Sequence, residues 1–107
     1  METALNSTSV AYEASRVVKQ KSGVLYGMIG YNSKASTQFI QLFDSAILPP
    51  EGAVPKVVIS VAASSPFSID YTQVGRSFKN GIVVCNSSTG PTKTIGSADC
   101  WYDVQYS

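Results

Sequence analysis

The residues that could carry out acid–base chemistry are few and do not form a catalytic set. The chain has no histidine, which removes the commonest general base and the Ser-His-Asp and Cys-His arrangements. Asp99 and Asp103 share a face of one predicted strand, and the rise of a β-strand separates them by about 13 Å. A retaining glycosidase needs its two carboxylates much closer together. The sequence therefore predicts that the protein is not an enzyme.

Metal and cofactor sites are also not indicated. Cys85 and Cys100 lie fifteen positions apart and lack the paired spacing of a structural zinc site. The acids Asp44, Asp70 and Asp99 have no calcium-loop motif around them. The glycines of the segment 27–30 belong to a predicted strand and lack the Gly-Lys-Ser/Thr signature of a phosphate-binding loop. We expect no metal and no cofactor.

The two cysteines leave one question open. Both fall in strands that we expect to form a closing, hairpin-like pair near the end of the chain, where they could face each other. A disulfide forms only if the register brings the two Cα atoms within bridging distance. The alternative is that Cys85 and Cys100 are reduced and buried as small apolar residues.

Aromatic residues provide the remaining chemical signal. On the last predicted strand, Trp101 takes one face, and Cys100, Tyr102, Val104 and Tyr106 take the other. One of these two sets belongs in the core. An aromatic side chain on the other face would be an interface anchor or a platform on which a sugar ring stacks, and Trp101 is the first candidate.

The elements that must position these residues are short strands. Period-two alternation and β-branched residues, separated by Gly, Pro, Ser and Asn turns, predict seven to nine strands and no helix. The predicted strands include 16–20, 24–31, 37–44, 56–62, 67–71, 81–86 and 99–106, with a possible extra strand over 92–95. The stretch 37–44 is apolar on both faces, which predicts a loop or a partner covering its outer side. The fold class is therefore all-β: a single-domain antiparallel β-sandwich, jelly-roll-like.

The domain division has two parts. Residues 1–14 are weakly patterned and are predicted to form an extended N-terminal arm, either lying across a neighbouring subunit or frayed. Residues 15–107 form the β-sandwich domain. Within it, the segment 45–55 contains three prolines and a glycine, which predicts a rigid connection.

Composition narrows the class of partner. Charged residues make up only 14% of the 107 residues, and such a surface suits a protein packed against other subunits, although a secreted or carbohydrate-facing domain has a similar composition. The net charge is +1 and the Lys and Arg residues are scattered along the chain, so we expect no nucleic-acid partner. We also expect no membrane span, no signal peptide and therefore no export.

Several segments together carry a family likeness. The stretches GVLYGMIGYNS, QFIQLFDSA, FSIDY and NGIVVCNSST, followed by TKTIGSADCWYDVQY, resemble small β-sandwich structural proteins of tailed bacteriophage virions. This resemblance implies a capsid decoration or cement protein, a homo-oligomer such as a trimer, that binds the major capsid protein on the capsid surface after assembly in the host bacterial cytoplasm.

Two hypotheses follow. As a cement protein, the chain would contact the shell through its arm (Leu5, Val10, Tyr12) and its proline-rich loop (Leu48, Pro49, Val54). As a tail-tip or fibre-associated module, it would bind a host carbohydrate or receptor, with Trp101 exposed beside polar loops.

Overall fold

The regular secondary structure of the described residues consists of short strands. The computed structural model describes residues 5–94 and 96–107 and, within them, contains nine strands and no helix. They are β1 Leu5–Thr8, β2 Ser15–Lys19, β3 Gly23–Asn32, β4 Gln38–Phe43, β5 Val57–Val61, β6 Ser65–Asp70, β7 Arg76–Phe78, β8 Ile82–Ser87 and β9 Cys100–Tyr106. The prediction of an all-β fold is confirmed.

The strands build two antiparallel sheets. The five-stranded sheet has the order β1-β9-β3-β6, with β7 also paired to β3, and the four-stranded sheet has the order β2-β8-β4-β5. The pairs are nested along the chain, because β1 pairs with β9, β2 with β8, β3 with β6 and β7, and β4 with β5. The chain therefore resembles one long hairpin that turns between β4 and β5 and is wrapped into two layers.

The core lies between the two sheets and follows the period of two expected of strands. On β9, Tyr102 and Val104 are fully buried whereas Trp101 is half-buried, as the alternation predicts. On β6, Phe67 packs in the same core with Ile69. Gly30 leaves room for this packing, because a Cβ there would lie 2.3 Å from the Phe67 ring and 2.2 Å from a backbone oxygen of β9.

On the outer face of the four-stranded sheet, the two central strands β4 and β8 are covered by the chain itself. All six residues of β8 are buried, and Val83 and Cys85 form a second apolar cluster with Phe43 on the side away from the main core. Two loops, 44–56 and 88–94, lie over this cluster. The prediction that the stretch 37–44 is covered on its outer side is confirmed, and loops provide the cover.

The predicted closing pair is wrong. β8 and β9 belong to different sheets, since β8 pairs with β2 and β4 while β9 pairs with β1 and β3. Cys85 faces the outer cluster and Cys100 faces the main core, and both are free thiols. The sequence predicts that these two strands pair because they follow each other along the chain. The nested topology instead pairs each of them with strands that are far away in sequence.

The first described residues of the predicted N-terminal arm belong to the five-stranded sheet. Residues 5–8 of the predicted arm form β1 and pair with β9, while residues 1–4 fall outside the described residues. In the possible extra strand 92–95, the described residues 92–94 form no strand.

Candidate functional site

The predicted contact residues of the N-terminal segment are exposed. Leu5, Val10 and Tyr12 each expose more than half of their surface, although the backbone beside Val10 is anchored. The anchor is Ser9, which is buried and exchanges backbone and side-chain hydrogen bonds with Tyr102 of β9. The segment thus presents apolar side chains from a fixed backbone.

A short polar network holds this segment in place. Glu13 accepts a hydrogen bond from the Ser9 hydroxyl and forms a salt bridge with Arg16 at 2.9 Å. The Arg16 guanidinium also donates to the Ser7 hydroxyl at 2.7 Å. The network links β1 of one sheet to β2 of the other, so the segment between them is tied at both ends.

The proline-rich loop is the second exposed apolar region. Leu48 and Val54 are exposed as expected, and Ile47, which sequence reasoning missed, is more exposed than Leu48. Pro49 is buried, and its carbonyl accepts a hydrogen bond from the buried Lys93 ammonium at 2.6 Å. Pro49 therefore supports the loop from within, while its neighbours present the apolar side chains.

Hydrogen bonds from the sheet and from the second loop fix this cover. Gln41 points outward from β4, and its amide nitrogen lies 2.9–3.0 Å from the carbonyl oxygens of Thr89, Gly90 and Thr92. Lys93 joins the two loops through its backbone, donating to the carbonyl of Ala53 at 2.8 Å. Because these groups are buried and mutually bonded, the loop 44–56 is a held surface.

Trp101 lies on the outer face of the five-stranded sheet. Its indole N–H donates to the Ser9 carbonyl at 2.9 Å, which fixes the orientation of the ring. Across the sheet, Trp101 is opposite Tyr31, and Tyr31 is opposite Pro66 on its other side. We call these three residues the aromatic row.

Two further rows cross the same face below the aromatic row. Ile29 of the central strand lies between Asp103 and Ser68, and Gly27 lies between Gln105 and Asp70. Ile29 is 51% exposed in the middle of this central strand. We call these six residues the outer groove; a cavity of about 370 Å³ lies along it and another of about 460 Å³ lies along the aromatic row.

The structure also gathers lysines that are distant in sequence. Lys19, Lys56 and Lys79 line a cavity of about 540 Å³ at the end of the molecule where β3 begins. The Lys56 ammonium is engaged there, since it donates to the Ser77 carbonyl at 2.6 Å and lies 4.9 Å from the centre of the Phe78 ring. Sequence reasoning found only scattered charges, because no local run signals this convergence.

The acids and cysteines occupy separate environments. Asp99 pairs with Lys34 at 3.6 Å, and Asp103 accepts a hydrogen bond from Thr8 at 3.0 Å. Burial raises the pKa of the Cys85 thiol to about 11 and also raises the pKa of Cys100. Among residues 5–94 and 96–107, no three His, Cys, Asp or Glu side chains are grouped so that they could hold a metal ion.

In the part of the chain that the structure describes, no helix has the length and apolar character needed to cross a membrane. The chain matches no protein-family model, no curated protein sequence and no solved structure.

Proposed function

We propose that the protein is a phage virion structural protein that binds the outside of the capsid as a decoration or cement protein. One observation carries the proposal: large apolar side chains are exposed on two held loops, the segment between β1 and β2 and the loop between β4 and β5. Tyr12 follows β1 of the five-stranded sheet, and Val54 lies in the loop after β4 of the four-stranded sheet. Apolar side chains held in exposed positions on rigid backbone are suited to an interface.

Two separate contact regions favour bridging. A protein that attaches through one patch decorates a surface, whereas a protein with two patches can hold neighbouring shell subunits together. Several weak contacts on one oligomer also add avidity without a strong single interface. A homo-oligomer such as a trimer, bound to the major capsid protein on the capsid surface, uses both properties.

The strand order supports a finer description of the fold as jelly-roll-like. The nested pairs β1·β9, β2·β8, β3·β6/β7 and β4·β5 describe one wrapped hairpin whose successive strand pairs alternate between the two sheets. Jelly rolls of two packed sheets occur in viral capsid proteins and in lectins. By analogy of fold, a jelly-roll-like sandwich is compatible with a virion protein.

The test is co-sedimentation of the purified protein with phage shells that lack it. Val54→Asp places a charge at a side chain that is 76% exposed in the free protein. If Val54 is buried against the shell, the change removes about 1.5–3 kcal/mol of apolar burial and desolvates a charge, so binding weakens by tenfold or more.

The matched control is Val74→Asp. Val74 is 86% exposed and lies in the turn between β6 and β7, outside both contact regions. We expect Val74→Asp to bind the shell as the unchanged protein does, and both variants to keep the circular dichroism of the β fold. Equal binding by Val54→Asp and the unchanged protein would refute the role of the loop.

A further inference from the structure

The two outer faces of the sandwich differ in a way that points to a ligand. The loops 44–56 and 88–94 cover the two central strands of the four-stranded sheet, β4 and β8, and bury outward side chains such as Gln41, Val83 and Cys85. In the part of the chain that the structure describes, the central strand of the five-stranded sheet has no such cover, and Ile29 remains 51% exposed between polar neighbours. The uncovered face is also the one that contains the aromatic row.

We infer that the outer groove and the aromatic row together form a binding site for a neutral saccharide. The chemistry of the lining supports this class of ligand. Asp70, Asp103 and Gln105 offer carboxylate and amide oxygens that accept hydrogen bonds from sugar hydroxyls, and the amide of Gln105 also donates. The rings of Tyr31 and Trp101 provide apolar surfaces against which the C–H face of a sugar packs.

Charge decides between a neutral and an acidic saccharide. Within the described ranges, neither Asp70 nor Asp103 forms an ion pair; the three salt bridges involve Glu13, Asp44 and Asp99 instead. The site therefore carries two uncompensated negative charges, which repel a carboxylated, sulfated or phosphorylated sugar. Hydroxyl donors of a neutral sugar complement them.

The site is preorganised. The Trp101 ring is held by its hydrogen bond to the Ser9 carbonyl, and Asp103 is held by the hydroxyl of Thr8. Gly27 keeps the floor of the groove low between Asp70 and Gln105 because it has no side chain. Groups that are fixed before the ligand arrives lose less conformational entropy on binding.

The two cavities are continuous in their lining, which suggests the length of the ligand. Both are lined by Ile29 and Ser68, so the groove passes directly into the aromatic row. Together they suit an oligosaccharide of a few units, with one ring stacked on the aromatic row and the next held by the acids. This inference does not rest on shell binding. A protein located in the tail or in a fibre would use the same saccharide site.

The experiment is a titration of the full-length protein with maltohexaose, cellohexaose and chitohexaose, followed by the fluorescence of its single tryptophan and by the indole N–H signal in NMR. We expect at least one of these neutral probes to bind with a dissociation constant on the order of 1 mM or lower. Tyr31→Ala should weaken binding about tenfold, because it removes a stacking surface. Gln105→Ala, at an exposed position, should weaken binding without altering the fold.

Tyr12→Ala is the matched control, since Tyr12 is an exposed tyrosine outside the site. It should leave saccharide binding unchanged. The inference is overturned if none of the three probes shifts the tryptophan signals, or if a bound probe is insensitive to both Tyr31→Ala and Gln105→Ala. It is also overturned if these two variants lose shell binding and no saccharide binding, since the face would then contact protein.

Discussion

At the scale of single residues, the two cysteines report on two different parts of the interior. Cys85 lies in the cluster beneath the loops, and Cys100 lies in the main core, where the Asn86 amide contacts its sulfur at 3.2 Å. Burial raises the pKa of Cys85 from 9.0 to about 11, and the nearby Lys93 partly opposes this shift. The folded state therefore favours the protonated thiol.

This shift predicts a pH dependence of stability. Because the folded pKa is higher than the unfolded one, the stabilising effect is fully present below pH 9.0 and is lost as the pH rises towards about 11. The free energy of unfolding of the unchanged protein, minus that of Cys85→Ala, should be constant below this window and fall within it by up to about 1.4 kcal/mol per pH unit.

Urea unfolding followed by tryptophan fluorescence measures this difference at each pH. Cys100 and the lysines are present in both proteins, so their titration cancels when they are unaffected by the substitution. A difference that stays constant through the window would show that the Cys85 thiol is not buried as the structure describes.

At the scale of elements, Gln41 is the side chain of β4 that attaches the cover to the four-stranded sheet, beside the contacts of Ser87 and Lys93. The Gln41 amide nitrogen has two hydrogens and faces three carbonyl oxygens of the loop 88–94, so those hydrogens are shared among them. The loop 44–56 is attached in turn through Lys93. Removing the amide should release the cover locally while the main core stays closed.

Gln41→Ala tests this attachment with Cys85 as a reporter. Each lost hydrogen bond contributes about 0.5–1.5 kcal/mol, so local opening, and with it thiol labelling of Cys85, should increase roughly tenfold. Cys100 of the same molecules serves as the internal control and should label at its original rate. Equal acceleration of both cysteines would mean global destabilisation, and no acceleration would mean that the cover is held by other contacts.

Most of the strands could be predicted from the sequence, because strand patterns are local. Seven of the predicted strands, among them 24–31 and 99–106, overlap observed strands with ends within two residues, since alternation and turn residues mark them. β1 was missed because LNST has no alternation, and its pairing with β9 stabilises it. The pairing of β8 and β9 with strands distant in sequence has no local signal.

The candidate site was accessible only in part for the same reason. Trp101 was identified from its place on the last strand, whereas Ile29, Ser68 and Asp70 acquire meaning only when the register sets them beside Asp103. The exposure of Val54 followed from its place in a proline-rich loop. The burial of Pro49 did not, because it depends on Lys93, which lies far away in sequence.

At the scale of the whole molecule, the two proposed functions use different surfaces. The proposed shell contacts lie on the N-terminal segment and the loop 44–56, and the inferred saccharide site lies on the outer face of the five-stranded sheet. The exposed contact side chains, such as Tyr12 and Val54, are not part of the saccharide site, although Thr8 and Ser9 of the N-terminal segment hold Asp103 and Trp101. Substitutions of the exposed contact side chains should therefore leave saccharide binding intact, which makes the two proposals separable.

Attachment to a capsid predicts how many copies of the protein a particle contains. A protein that decorates the shell is present in a fixed ratio to the major capsid protein, with a copy number of similar order. Quantitative mass spectrometry of purified virions measures this ratio directly. Comparable copy numbers are the expected result, whereas a handful of copies per particle, or none, would contradict a role as a capsid decoration protein.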